Sequence, residues 1–303
     1  GPQRMALRVA EAFAECEAVG MLDSCLSCLL RSYLAWCGDA RFAGPSEYDV
    51  AYDTGVVFKE VLGKVFSRVD AEDSDEMLLK AAHRAANESF ERRQSAGVNP
   101  AHRSVVLAMQ PGIAVSWLAA AAVAEARLTH RHGEALATAA AVALLARQLL
   151  SGDGIAAACQ SCLPYLDFDA PETFRVLHRF AAWGDGSEPS EPLQPTHREG
   201  FSPLVLESAL CFLVSARSFE DALHDSLEFA GPDNFCPVLV GSLGGALFGC
   251  DMDLEFLAAE VPDVPGPPTG AGVTWRTLNH EHFLPAEHRR RIGRVAKVYA
   301  ELW

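Results

Sequence analysis

The stretch Phe201–Gly249, FSPLVLESALCFLVSARSFEDALHDSLEFAGPDNFCPVLVGSLGGALFG, constrains the fold most, because it is punctuated for three successive helices. Ser202-Pro203 reads as an N-cap with proline at the first helical position. Ser218 with Asp221 resembles a capping box in which Asp stands for Glu or Gln. Ala230-Gly231-Pro232 stops the second helix, and Asp233 or Asn234 can cap the third. Pro237 then falls in the first turn, where a missing N–H costs little. The third helix carries Gly241, Gly245 and Gly249, four residues apart. An interior glycine costs about 1 kcal/mol against alanine. The stripe is therefore expected where another helix backbone packs very close, in a buried central helix. Its apolar run is too short, and too broken by Pro237, for a membrane dimer motif.

Composition narrows the class. Half of the 303 residues are apolar, enough for one large core, and the chain is expected to form a single domain over 1–303. A net charge of −15 argues against a nucleic-acid surface. No 18-residue apolar run stands out. Gly112–Ala126 comes nearest and reads as a buried helix, so no membrane span and no signal peptide are expected. Nine cysteines, an odd number, suggest buried free thiols in a reducing compartment, hence a cytoplasmic protein. Gly1-Pro2 reads as a cleavage scar, with the natural chain expected to begin elsewhere.

Helical periodicity then runs along the chain. Helices are expected over residues 4–19, Ser24–Trp36, Gly55–Arg68, Glu76–Phe90, Ile113–Leu128, Glu134–Leu150 and Phe168–Trp183, and in the tail Pro285–Trp303. Pro/Gly-rich loops are expected near 184–200 and 261–272. Arg289-Arg290-Arg291 reads as a solvated helix face. Cys25/Cys28 and Cys159/Cys162 lie too far apart in sequence for a zinc ribbon, and an i, i+3 pair simply shares a helix face. Few alternating runs occur, so an all-α class is expected.

Several motifs occur together and in order. Tyr33-Leu34-Ala35-Trp36 precedes Tyr48-Asp49-Val50-Ala51-Tyr52-Asp53-Thr54. Asn99-Pro100-Ala101-His102-Arg103 follows, then Thr129-His130-Arg131-His132 before an alanine-rich helix. Ser208-Ala209-Leu210, Ser218-Phe219-Glu220-Asp221-Ala222-Leu223 and Gly241-Ser242-Leu243-Gly244-Gly245-Ala246 complete the series. In this order and spacing the chain resembles the ADP-ribosylglycohydrolase family, which takes in dinitrogenase reductase-activating glycohydrolases and J1 crystallins. The likeness runs over residues 4–250 and is expected to include the tail. It implies an all-α orthogonal multi-helix bundle.

Family enzymes cleave the glycosidic bond between ADP-ribose and a modified side chain, typically with two Mg²⁺-type ions. Such hard cations need carboxylate and hydroxyl oxygens in near-octahedral positions, polarising the ribose and orienting water. The resemblance places those oxygens on an upstream Asp-Asp-Thr and a downstream Gly-Gly-Asp-x-Asp-Thr. Here the downstream positions read Pro232-Asp233-Asn234-Phe235, and Gly1-Pro2-Gln3 falls where the upstream triplet would lie. No bound metal and no cofactor are therefore expected, although Asp233 would rescue one ligand if the helix start slipped by a residue.

Other matched groups survive. Asp49 is the candidate catalytic group, a general base or a holder of a ribose hydroxyl, against a turn-forming Asx cap. His130 and His132 are weaker catalytic candidates, against helix-capping and core histidines. Asn99, Asp233 and Asn234 are candidate substrate-binding residues. The expected function is a degenerate ADP-ribosylglycohydrolase-fold protein, inactive by the family mechanism. It would act as a binding or assembly module with an ADP-ribose-like ligand, a protein partner or a second copy of itself. The alternatives are a metal-independent or metal-poor hydrolase or lyase on an N- or O-glycosidic substrate, and a crystallin-like structural role.

Overall fold

The computed structural model describes residues 2–14, 21–37, 55–110, 112–166, 169–183, 195, 199–230 and 235–249. Among them the protein is all-α. Its helices are α1 Pro2–Ala14, α2 Leu22–Trp36, α3 Val56–Phe66, α4 Asp75–Arg93, α5 Asn99–Ser104, α6 Val115–Ala126, α7 Gly133–Leu150, α8 Ile155–Cys162, α9 Pro171–Ala182, α10 Ser202–Ser215, α11 Phe219–Phe229 and α12 Cys236–Phe248. Short 3₁₀ turns cover Val105–Met109 and Leu163–Tyr165. The chain divides into two compact units, Gly1–Cys250 and Asp251–Trp303, and every helix named here belongs to the first. The Tyr48–Thr54 turn, most of 184–200, residues 231–234, the 261–272 stretch and the tail helix lie outside the described residues.

The centre of the bundle is α7, not the glycine-striped helix. Every residue from Glu134 to Arg147 is buried, and Leu149 with them. A helix buried on all sides has no polar face. Its alanines keep the cylinder thin, so α5, α6, α8, α9, α10, α12 and the Val105–Met109 turn all pack directly on it. Among the described helices α7 is also the one long and apolar enough to span a membrane, with 83% of that window buried in the protein core. The Gly112–Ala126 run gives the shorter α6 instead.

The expectation for the glycine stripe is corrected. Neither Gly241 nor Gly245 has a described atom within 4 Å of where a Cβ would sit. The close contact falls on Gly244, whose Cβ would lie 3.1 Å from both Leu213 and Phe219. Gly249 ends the helix at φ 74°, a conformation that favours glycine. Ser202 is corrected as well: the N-cap is Phe201, and the buried Ser202 hydroxyl makes no hydrogen bond among the described residues. The chain enters α10 through a single antiparallel bridge, Gly97 to Phe201, and the Ser202 amide donates to the Ala96 carbonyl at 2.9 Å. Ser218 does cap α11, accepting from the Asp221 amide at 3.1 Å.

The missed elements are short. α5 and α8 have 6 and 8 residues, too few for periodicity to declare itself. α4 runs three residues beyond its expected end because its termini suit the helix dipole: Asp75 and Glu76 in the first turn, Arg92 and Arg93 in the last. Arg92 and Arg93 also pair with Glu60, tying α3 to α4. In α8, Cys159 and Cys162 are fully enclosed, and burial pushes the Cys159 thiol up to about 12.

α9 begins without a cap of its own at Ala170. Glu134, from the start of α7, supplies one. Its carboxylate accepts from the Glu172 amide at 2.9 Å, the Thr173 amide at 3.0 Å and the Thr173 hydroxyl at 2.7 Å. The approach requires Gly133, where a Cβ would sit 2.6 Å from the Asp169 carbonyl oxygen. Gly133→Ala is therefore expected to lower unfolding stability by about 1–3 kcal/mol in urea titration. Gly245→Ala, with open space at its Cβ, is expected to be neutral or to stabilise by up to about 1 kcal/mol.

Candidate functional site

Arg103 on α5 is fully buried, and a buried guanidinium is tolerable only when its donors are met. Its Nε donates to Glu125 on α6 at 2.6 Å, its Nη1 to the Asn99 side-chain oxygen at 2.5 Å, and its Nη2 to the Thr129 hydroxyl at 2.7 Å. The Tyr33 hydroxyl donates to the same Glu125 oxygen at 3.2 Å. The rings of Tyr33 and Phe58 lie 5.9 and 5.6 Å from the guanidinium carbon, a cation–π box. Burial works against the Arg103 charge, but Glu125 and Tyr33 outweigh it and hold the guanidinium protonated. Burial raises the Glu125 carboxyl, and Arg103 pulls it back. One cation thus joins α2, α3, α5, α6 and the Thr129–His132 turn.

Asn99 and His130 are brought together through this hub. The Thr129 oxygen, which accepts from Arg103, lies 2.9 Å from His130 Nδ1. Either atom can donate across that contact, because the Thr129 hydroxyl also reaches the Ala126 carbonyl at 3.5 Å. His130 is enclosed, and burial with the nearby Arg103 charge pushes its pKa down to about 3, so the ring is neutral. His132 works differently. It is the N-cap of α7, its Nδ1 accepting from the Glu134 amide at 3.2 Å. Its ring meets Phe90 edge-on at 6.0 Å. Asp49, Asp233 and Asn234 lie outside the described residues.

Beside His130 opens a recess of about 170 Å³, lined by Val57, Ser89, Phe90, Thr129, His130 and Arg131 among others. Its enclosed part measures about 10 Å³, room for about one water and far below the roughly 300–1,000 Å³ of ligand pockets. Two buried polar atoms there, Ser89 Oγ and Arg131 Nε, make no hydrogen bond among the described residues.

The start of α12 is where the resemblance puts half of a dimetal site, and the described residue there does not fit one. Phe235 offers an apolar ring, edge-on to His102 at 6.2 Å. Burial leaves the His102 ring neutral with a pKa of about 3, and its Nε2 makes no hydrogen bond among the described residues. A hard cation finds no oxygen in this contact.

Comparison with known families agrees with the motif order. The ADP-ribosylglycohydrolase family model matches residues 3–260, and the chain belongs to that family. No curated protein matches it in sequence. Among solved structures, an "ADP-ribosylglycohydrolase-related protein complex" aligns with 99% of this chain and 98% of its own, at 19% identity and a TM-score of 0.47.

No sequence motif joins Tyr33, Phe58, Glu125 and Thr129 to Arg103. One signal points to the network: Glu125 is the sole acid in the apolar run from Gly112 to Ala126, and a buried carboxylate implies a buried cation.

His102 and His130 fix a pH dependence. With folded values near 3 against 6.5 unfolded, the unfolded chain binds protons more readily between those limits, so stability falls as pH falls through that window. Near pH 5 each histidine is expected to cost about 2 kcal/mol relative to neutral pH. Thermal unfolding of His102→Met should show a smaller loss between neutral pH and pH 5 than the native chain.

Proposed function

We propose that this family member binds an ADP-ribose-like ligand without the dinuclear metal chemistry of family enzymes, and that it acts as a recognition or assembly module. The carrying observation is the Phe235–His102 contact at the head of α12, an apolar and neutral pairing where the family motif has a metal-binding threonine. Pro232 and Asn234 extend the same change in sequence, removing two carboxylates. Against that loss, the buried scaffold carrying Asn99 and His130 remains intact. The ligand class rests on the family; the small recess beside His130 adds only that Ser89, Thr129 and Arg131 bring hydroxyls and a guanidinium to one place, with room for about one water. A protein that carries ADP-ribosylation is the partner this chemistry would recruit.

The rival reading is a metal-independent hydrolase with Asp49 as base. Its histidine helpers are already engaged, His132 in capping α7 and His130 with Thr129, so Asp49 would act with little assistance.

Isothermal titration tests both readings. ADP-ribose is expected to bind the full chain with a micromolar Kd, while Mg²⁺ and Mn²⁺ give no heat of binding and no release of ADP-ribose from a modified protein. Micromolar metal binding, or turnover that Asp49→Ala abolishes, would overturn the proposal.

A further inference from the structure

We propose that Arg127, Arg131 and Ser89 form a binding site for a phosphate-class oxyanion, where α4 meets the turn between α6 and α7. The chain has 40 acidic residues against 25 lysines and arginines, so a cation without an acidic partner is the exception. Arg68, Arg84, Arg92, Arg93, Arg175 and Arg179 each pair with a glutamate. Arg127 and Arg131 pair with no carboxylate among the described residues. The Arg127 charge instead works against that of Arg131, and both work against protonation of the half-buried His83. Asp23 is the acidic group that opposes them at His83. Like charges gathered in this way repel, and an anion relieves the repulsion.

The hydrogen-bonding groups point to the same ligand. Arg131 Nη2 donates to the His83 carbonyl on α4 at 3.4 Å, which lays the guanidinium along that helix. Arg131 Nε is enclosed and makes no hydrogen bond among the described residues. The Ser89 hydroxyl, on a side chain 1% exposed, has no partner among them either, and both residues line the recess beside His130. A buried N–H and a buried hydroxyl on one wall call for an acceptor. The enclosed part of the recess has room for about one oxygen-sized atom. One oxygen of a tetrahedral anion fits there, and the remaining oxygens stay outside, where guanidinium nitrogens bind them well. A water fits the same room but leaves two positive charges unanswered. The site requires no ADP-ribose and goes beyond the reading above.

The test titrates inorganic phosphate into the full chain at constant ionic strength, read by isothermal titration and by melting temperature, with chloride as control. Phosphate is expected to bind and to raise the melting temperature, and chloride to do neither. Arg127→Gln changes an exposed side chain and is expected to weaken phosphate binding about tenfold. Arg131→Lys keeps the charge but loses the fork and Nε, and the same loss is expected. Ser89→Ala is expected to weaken phosphate about threefold with the fold retained. If the Arg131 variant does not fold, the other two decide. Absence of phosphate binding by the native chain, or native phosphate affinity in any folded variant of the three, would overturn the proposal. Titrating ADP-ribose into Arg127→Gln separates the sources of phosphate: a parallel loss puts the diphosphate in this site, and unchanged affinity makes it a separate phosphate site. If the native chain binds phosphate but no ADP-ribose, the functional reading fails and this site stands.

Discussion

A helix enclosed on every side can carry charge only near its ends, and α7 obeys that constraint, its buried Thr138 being neutral and bonded to Thr173. Its charged residues are Glu134 in the first turn and Arg147 in the last, and each is spent on a neighbour. Glu134 satisfies orphan amides at the head of α9. Arg147 donates to the carbonyls of Leu107, Ala108, Gln110 and Ile113, closing the 3₁₀ turn and the loop that leads into α6. The central helix thus caps elements that have no caps in their own sequence. Its alanines set how near those elements stand.

The same constraint positions the candidate site. The Thr129–His132 turn is the entrance to α7, and His132 caps that entrance. Thr129 and His130 therefore sit on a joint between two buried helices and inherit their rigidity. Arg103 reaches this joint from α5, which itself packs against α7 and α1. Breaking a buried ion pair such as Arg103–Glu125 by removing one partner typically costs about 3–5 kcal/mol. Site geometry and fold stability here share one set of contacts.

Sequence made the class legible because long amphipathic or alanine-rich runs declare their period, as α2, α4, α7 and α10 do. It misplaced the centre. Glycine spacing in α12 suggested close helix approach, yet a stripe says nothing of which face meets a neighbour, and Gly244, one residue off the stripe, makes the contact. In the candidate site, motif order pointed to Asn99, His130 and His132, with Arg103 only as part of the Asn99 motif. It left their labour open between catalysis and capping or core roles; the His132 cap is local, to the Glu134 amide, whereas the Arg103 hub that holds Thr129 depends on residues as distant as Glu125 and Tyr33. Ser202 failed as a cap for a similar reason: the bridge between Gly97 and Phe201 fixes how the chain enters α10, and local propensity yields to it.

The Phe235–His102 contact also makes physical sense of how such a fold can persist on the proposed reading. Carboxylates gathered for two divalent ions repel one another whenever the ions are away, so a metal site stabilises the fold only when filled. A chain that no longer uses the ions gains by replacing mutually repelling oxygens with groups that pair among themselves. A neutral imidazole set edge-on against the Phe235 ring is one such pairing, and it ties α5 to the start of α12. Asn99 lies one turn before His102 on the same short helix, so this clamp and the Arg103 hub hold it from two sides. The positions where the family motif holds metal and the Arg103 hub thus lie on separate elements: the first can change at the start of α12 while the second stands on α5, α6 and the entrance to α7.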